Sequence, residues 1–274
     1  MRFADLHLHT VYSDGTYTPL EIIRAALKHS LSAIAIADHD NVDGIDEAFE
    51  AGSKEGVEVI PAIELSAEYE NSELHILGYL IDHKSRELAQ KLGFLRQNRI
   101  ERIYKIAGKL KELGLDLKPE SVFSLAENAT VGRLHVARAM VKEKLVGSTY
   151  EAFNKYIGDK CPAYVCGFKF TPQDAINLIR SSGGIAVLAH PYTLHNDELI
   201  PQLVSYGLGG LEAYYPEHSQ GMVNYYLGLA AKLNLLVTGG SDCHGNAKPE
   251  VKIGTFKVPY ELVEKLKEAK RGMG

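Results

Sequence analysis

The sequence reads as an α/β protein, a closed or nearly closed βα barrel interrupted by a block of helices. Three observations carry that reading. Seven short runs rich in Ile, Val, Leu and Ala are bounded by polar residues or glycine, as buried parallel strands are. Amphipathic stretches with helix start signals lie between several of them. From about residue 84 to 160 no run has strand character. Strand followed by helix, repeated about seven times, favours a barrel over an open sheet.

In chain order, the strands are expected at 2–9, 31–39, 57–68, 74–81, 184–191, 210–216 and 235–242. TPLEIIRAALKHS (18–30) opens with Thr18, Pro19 and Glu21, a capping box with proline at the first helical position. The middle block begins with one long helix over 85–114, where Gly93 and Gly108 are the candidate bend points. Shorter helices are expected near 119–127, 133–145 and 149–157, and YVCGFKF (164–170) reads as a linker or edge strand returning to the barrel. TPQDAINLIRSSGG (171–184) repeats the capping device, and 196–207 and 221–234 complete the helices. The expected division is a barrel from 1–83 and 161–274, with 84–160 an inserted helical subdomain over its mouth.

Among 274 residues the formal net charge is −5, so no positive excess draws in nucleic acid by backbone attraction alone. Three cysteines, Cys161, Cys166 and Cys243, make no disulfide framework, which points to a reducing, cytoplasmic setting. MRFADLHLHT has no long apolar run, so no signal peptide is expected, and no stretch approaches the roughly 18 apolar residues of a membrane span. No obligate protein partner is evident.

The chemistry sits at the strand ends. His7 and His9 share one face of the first strand, because side chains two apart point the same way, and Asp14 follows in the loop. Asp38, His39 and Asp40 end the second strand and Glu64 the third. His190 ends the fifth, and Asp242 and His244 the last. His75 is the exception, near a strand start. So many ionisable groups in one mouth would repel or stay unsatisfied unless something bound them. Divalent metals solve that problem, and imidazole with carboxylate suits Mn, Fe or Zn. Nine ligands suit two or three ions, with Glu64 as a bridge. Asp38 and Asp40 either cap the following turn or orient a ligand imidazole. Alternation turns Cys243 away from its neighbours, as a buried thiol. Phosphate esters are the natural substrates of such a cluster, with metal-bound water as nucleophile. Arg133 and His135, in TVGRLHVARAMV, stand at a helix start where an anion is favoured.

DLHLHTVYSDG, ADHD, the isolated Glu64, LAHP and GSDCH, in this order, resemble the polymerase and histidinol phosphatase (PHP) family. The likeness is strongest to its small stand-alone phosphoesterases, which act on nucleoside 3′,5′-bisphosphates and on 5′ ends of short oligonucleotides. The resemblance implies a distorted (βα)7 barrel with an inserted helical subdomain and a trinuclear centre. It places His7, His9, Glu64 and Asp242 on one metal, and Asp14, His39 and His244 on a second. Glu64, His75 and His190 fall to a third. It implies phosphate contacts from Arg133, His135, Lys160 and His195, with Gly132 standing where some relatives have serine. His190 or His195 is expected to assist loss of the alcohol, and Tyr214 and Tyr215 to shape a pocket. The expected partner is a small phosphorylated metabolite or a short single-stranded oligonucleotide. The alternatives are a histidinol phosphate phosphatase, a non-catalytic metal-stabilised module and a metal-dependent amidohydrolase.

Overall fold

The computed structural model describes residues 1–70, 72–127, 129–166 and 170–273. All seven expected strands form: β1 Phe3–Leu8, β2 Leu31–Ile36, β3 Glu58–Tyr69, β4 Ser72–Tyr79, β5 Ile185–Leu188, β6 Gly210–Tyr214 and β7 Leu236–Gly239. An eighth, β8 (Val258–Pro259), pairs antiparallel with β1, and two residues are too few to carry a readable period. The strand order is β7-β6-β5-β4-β3-β2-β1-β8. The ring nearly closes at the mouth, where the segment after β7 bonds to β1. His9 N–H donates to Cys243 O at 3.1 Å, and Asp242 N–H to His7 O at 2.8 Å.

One expectation is corrected. β4 is not parallel: it forms a hairpin with β3 and also runs antiparallel to β5. The connection from Tyr69 to Ser72 is far too short for a parallel crossover, which needs a dozen or more residues. Reversal of β4 puts its beginning at the end of the barrel where its neighbours finish. His75 therefore reaches the mouth despite lying near a strand start.

The helices follow their start signals. In α1 (Pro19–Lys28), Glu21 N–H donates to Thr18 Oγ1 at 3.2 Å and Thr18 N–H to Glu21 Oε2 at 2.8 Å. α2 (Ile45–Glu55) was not expected from the sequence. α3 (Arg86–Glu112) runs as a single assigned helix through both glycines. Then come α4 (Pro119–Ala126), α5 (Arg133–Lys142) and α6 (Thr149–Ala152), which continues as a π-helical turn over Phe153–Ile157. α7 (Pro172–Ser181) keeps the Thr171–Asp174 capping box. α8 (Ile200–Ser205), α9 (Gln220–Lys232) and α10 (Glu261–Arg271) complete the set, α10 also unexpected. Of YVCGFKF, residues 167–169 lie outside the described residues, and 164–166 and 170 form neither helix nor strand. No helix among the described residues is long and apolar enough to cross a membrane.

α3 belongs to two cores. Leu88, Leu92 and Leu95 pack with Ile63, Leu188 and Leu211 of the barrel. Ile103, Ile106 and Leu110 pack with Val136 and Met140 of α5. Each fully buried Leu or Ile contributes roughly 1.5–3 kcal/mol. This rod therefore ties the helical block firmly to the sheet that carries the site.

Candidate metal centre

Local structure explains how each side chain arrives. β1 is extended, so His7 and His9 fall on one face, and both are fully buried. The loop after β1 turns back to present Asp14. Asp38 holds that loop: it accepts from Thr10 N–H at 2.7 Å, Thr10 hydroxyl at 2.6 Å and Ser13 hydroxyl at 2.5 Å. Gly15 permits the return, since a Cβ there would lie 2.4 Å from His9 O. Asp40 instead accepts from Ser66 N–H at 3.2 Å and Arg99 Nε at 2.7 Å. So Asp38 braces the Asp14 loop, while Asp40 ties β3 to α3. Cys243 is buried, as alternation implied, and burial pushes its thiol pKa up. His190 and Asp242 take left-handed backbone (φ 27° and 54°), a cost of order 1–3 kcal/mol each that clusters at functional sites.

Glu64 is the hub. Its Oε2 lies 3.4 Å from His7 Nε2, 3.2 Å from His9 Nε2 and 3.1 Å from His39 Nδ1. Its Oε1 lies 2.9 Å from His75 Nδ1 and 3.2 Å from His190 Nε2. Asp242 Oδ1 is 3.0 Å from His9 Nε2, and Asp14 Oδ1 is 3.2 Å from His244 Nε2. Yet His7 Nε2, His9 Nε2, Asp14 Oδ1, His39 Nδ1 and Glu64 Oε2 are buried without a hydrogen bond of acceptable geometry. Two ligands about 2.1 Å from a shared ion, at a tetrahedral angle, sit roughly 3.4 Å apart, the spacing found here. Unpaired buried groups of this kind cost about 1–3 kcal/mol each, and a divalent ion removes that cost.

Three groups of donor atoms can each chelate an ion: His7, His9 and Asp242; His9, Asp14, His39 and His244; and His39, Glu64 and His75. The family-derived sets differ in detail. His9 approaches the second group as well as the first, and His39 approaches the third, while Glu64 Oε1, His75 Nδ1 and His190 Nε2 also lie within 2.9–3.3 Å of one another.

The electrostatics match. Burial would strip the proton from His7, but Glu212, Glu64 and Asp242 hold its pKa well above the usual value. Against the same burial, Asp242 and Glu64 raise His9 to about 9, and Glu64 and Glu73 raise His75 to about 10. Burial opposes ionisation of Asp14, Glu64 and Asp242, yet the histidines around them, and Lys248 beside Asp242, hold all three far below the ordinary carboxylate range. For His39 and His244 burial wins and the pKa falls. Metal binding replaces protons with ions at the same atoms.

Sequence reasoning missed Glu212, although it sits near the end of a strand like the others. It is fully buried. Its Oε1 lies 3.0 Å from His7 Nδ1, where an imidazole N–H can donate to the carboxylate. That turns the other ring nitrogen, Nε2, toward the cluster, where an ion would replace its proton. Its Oε2 accepts the backbone N–H of His190 at 2.8 Å. Glu212→Gln is expected to weaken metal affinity about 10- to 100-fold, measured by chelator competition, and unchanged affinity would refute this orienting role.

A cavity of about 650 Å³ opens over the cluster. Arg133, Arg99, Lys248 and Tyr215 line it, with Tyr150 and Phe153 from the helical block. Arg133 Nη1 is 2.7 Å from Asp159 and Nη2 3.4 Å from Glu73, which in turn lies 3.1 Å from His75. Three expected contacts are not brought there. His135 is buried, accepts from Gly132 N–H at 3.1 Å and lines a neighbouring cavity. Lys160 and His195 are exposed, each with positive φ, and are not among the lining residues. Tyr215 lines the cavity and Tyr214 does not. Arg99, Glu73 and Lys248 were not singled out from the sequence, for they lie on a helix, near a hairpin and in a loop, without motif spacing.

Comparison with known proteins agrees with this geometry. Residues 5–155 match the PHP domain. Over 264 residues the chain is 31% identical to a phosphoribosyl 1,2-cyclic phosphate 1,2-diphosphodiesterase of Eggerthella lenta, covering 93% of this chain and 98% of that one. It is 30% identical over 246 residues to a 3′,5′-nucleoside bisphosphate phosphatase of Chromobacterium violaceum, covering 88% and 86%. A Bifidobacterium adolescentis protein, solved under the provisional description of a metal-dependent phosphoesterase, superposes with a TM-score of 0.86 at 30% identity, over 96% of this chain and 94% of that one. With its metal-chelating cluster at the mouth of a near-closed barrel, the chain belongs to the PHP-domain family of metal-dependent phosphoesterases.

Proposed function

We propose that this enzyme removes the 3′-phosphate of a nucleoside 3′,5′-bisphosphate, and that the 5′ ends of short oligonucleotides enter the same site. The observation that carries the reading is Arg133, a cation at the cavity wall two contacts from the cluster, through Glu73 and His75. A substrate with two phosphates needs such a second anion site beside the first. Glu73 and Asp159 hold the guanidinium fork in place, and phosphate oxygens match that fork. Tyr150, Phe153 and Tyr192 offer flat walls for ribose and base.

In this reading His7, His9, Asp14, His39, Glu64, His75, His190, Asp242 and His244 hold two or three ions of Mn, Fe or Zn. Bound ions would supply Lewis acidity to the phosphoryl oxygens and activate water for attack. His190 Nε2, 3.2 Å from Glu64 Oε1 and 3.3 Å from His75 Nδ1, is placed to join them on one ion, and its ring lines the cavity where the leaving oxygen would depart. Residues 84–160 act as an inserted subdomain whose α6 and following turn cover the mouth of the barrel formed by 1–83 and 161–274.

The test is phosphate release with added Mn from nucleoside 3′,5′-bisphosphates, 5′-phosphorylated oligonucleotides, histidinol phosphate and simple esters. The bisphosphates are expected to show the highest kcat/KM; amide hydrolysis without any phosphatase activity would overturn the reading. A second reading, opening of a sugar 1,2-cyclic phosphate, draws support from the near full-length likeness to the Eggerthella enzyme. Ring opening consumes water without immediate phosphate release, which separates the two. Arg133→Ala is expected to raise KM for bisphosphates roughly 10- to 100-fold and leave simple monoesters almost unchanged. Equal KM values for wild type and variant would remove Arg133 from the phosphate site.

A further inference from the structure

Asp242 divides its two oxygens between two tasks. Oδ1 faces the imidazoles, 3.0 Å from His9 Nε2 and 3.6 Å from His7 Nε2. Oδ2 faces away from them and accepts from Tyr215 hydroxyl at 2.9 Å and Lys248 Nζ at 3.1 Å. Lys248 lies just past the short 3-10 turn Gly245–Ala247, and its side chain is one-third exposed (34%) into the cavity. An ammonium carries three N–H donors. One goes to Asp242, and among the described residues no second acceptor lies within hydrogen-bond distance of Nζ. Arg133 and Arg99 differ in this respect, since each spends its nitrogens on two or more protein oxygens. Lys248 therefore keeps two donors free directly beside the cluster.

We infer that Lys248 is a substrate-binding residue whose Nζ takes an oxygen of the phosphoryl group that reacts at the cluster, with Tyr215 and Asp242 fixing its position. The inference rests on the phosphoesterase reading above and deepens it by dividing the anion sites. Lys248 serves the phosphate at the cluster, whatever the substrate. Arg133 serves a second phosphate where one exists. The two cations reach the cluster from different sides, Lys248 through Asp242 and Arg133 through Glu73 and His75. A purely structural lysine, present to balance Asp242, would act on metal loading instead.

The experiment uses Mn-loaded wild type, Lys248→Met and Lys248→Arg. Inhibition by inorganic phosphate, kcat and KM on a simple aryl phosphate and on a bisphosphate, and Mn content are measured on each. In Lys248→Met the inhibition constant for phosphate is expected to rise roughly 10- to 100-fold. The kcat/KM is expected to fall by a similar factor on both esters, with Mn content unchanged and partial recovery in Lys248→Arg. An inhibition constant within twofold of wild type overturns the inference. So does activity lost in step with Mn, which makes Lys248 a support for Asp242 alone. If wild type hydrolyses neither ester, the functional reading fails on its own. Calorimetric binding of phosphate to Mn-loaded wild type and Lys248→Met then still decides the role of Lys248, equal affinities overturning it.

Discussion

Glu64→Gln is expected to remove metal and turnover together, cutting kcat by at least about 1,000-fold while the fold survives. The carboxylate stands within 3.4 Å of nitrogens from His7, His9, His39, His75 and His190, on four different strands or strand ends. It therefore reaches members of all three groups of donor atoms. A Gln amide is nearly isosteric, so packing around this buried position is retained. It is uncharged, however, and its NH2 would donate toward the lone pairs that should meet an ion. The loss also spreads, since Glu64 is among the charges that keep His7, His9 and His75 protonated before metal arrives. A missing metal then costs the several kcal/mol of charge stabilisation that a metal site supplies in phosphoryl chemistry, which is the origin of the estimate. Elemental analysis, phosphate release and circular dichroism on one preparation check it. A variant that keeps its metals and its rate would show that Glu64 does not bridge.

Much of this centre could be read from the chain because strand ends are periodic objects. Alternation fixed the shared face of His7 and His9, and the barrel rule placed His39, Glu64, His190 and Asp242 at one rim. His75 looked out of place only while β4 was assumed parallel; the short link from Tyr69 to Ser72 held the answer. Glu212 obeyed the same strand-end rule and was passed over among apolar neighbours. Lys248 and Arg99 were not legible. Each enters the cavity through tertiary packing, and no local period announces it. Lys160 and His195 failed for the converse reason. Offsets carried over from relatives count residues, and a count does not fix where a loop presents a side chain. The same holds for β8, which exists because β1 offers it an edge, not because Val258–Pro259 favours a strand.

Removal of metal by a chelator is expected to lower Tm by roughly 10–20 °C and to take up protons, with a pH dependence whose sign follows from the cluster. An ion present at about 100 times its Kd stabilises the fold by about 2.7 kcal/mol per site. Two such sites give about 5 kcal/mol, and a chain of this size shifts by roughly 2–4 °C per kcal/mol. In the metal-free fold His9 titrates at about 9 and His75 at about 10, so at pH 7 both carry protons that an entering ion must displace. Apparent metal affinity should therefore climb with pH toward those values. Metal-free stability runs in a different direction on each flank. His9 and His75 have folded values above the unfolded 6.5, so their contribution is complete below that value and fades as pH rises through 9 to 10. His39 and His244 have lowered values, so protonation below 6.5 favours the unfolded chain. Asp14, Glu64 and Asp242 are also lowered, and their contribution is lost as pH falls below about 4. The metal-free protein should be most stable near pH 6.5 and lose stability as pH rises from there toward 9 to 10, with metal widening the gap most at the alkaline side. Thermal melts across pH, with and without Mn, and calorimetry in buffers of different ionisation enthalpy measure both effects. Metal binding without proton release at pH 7 would mean that the imidazoles are not the groups that receive the ion.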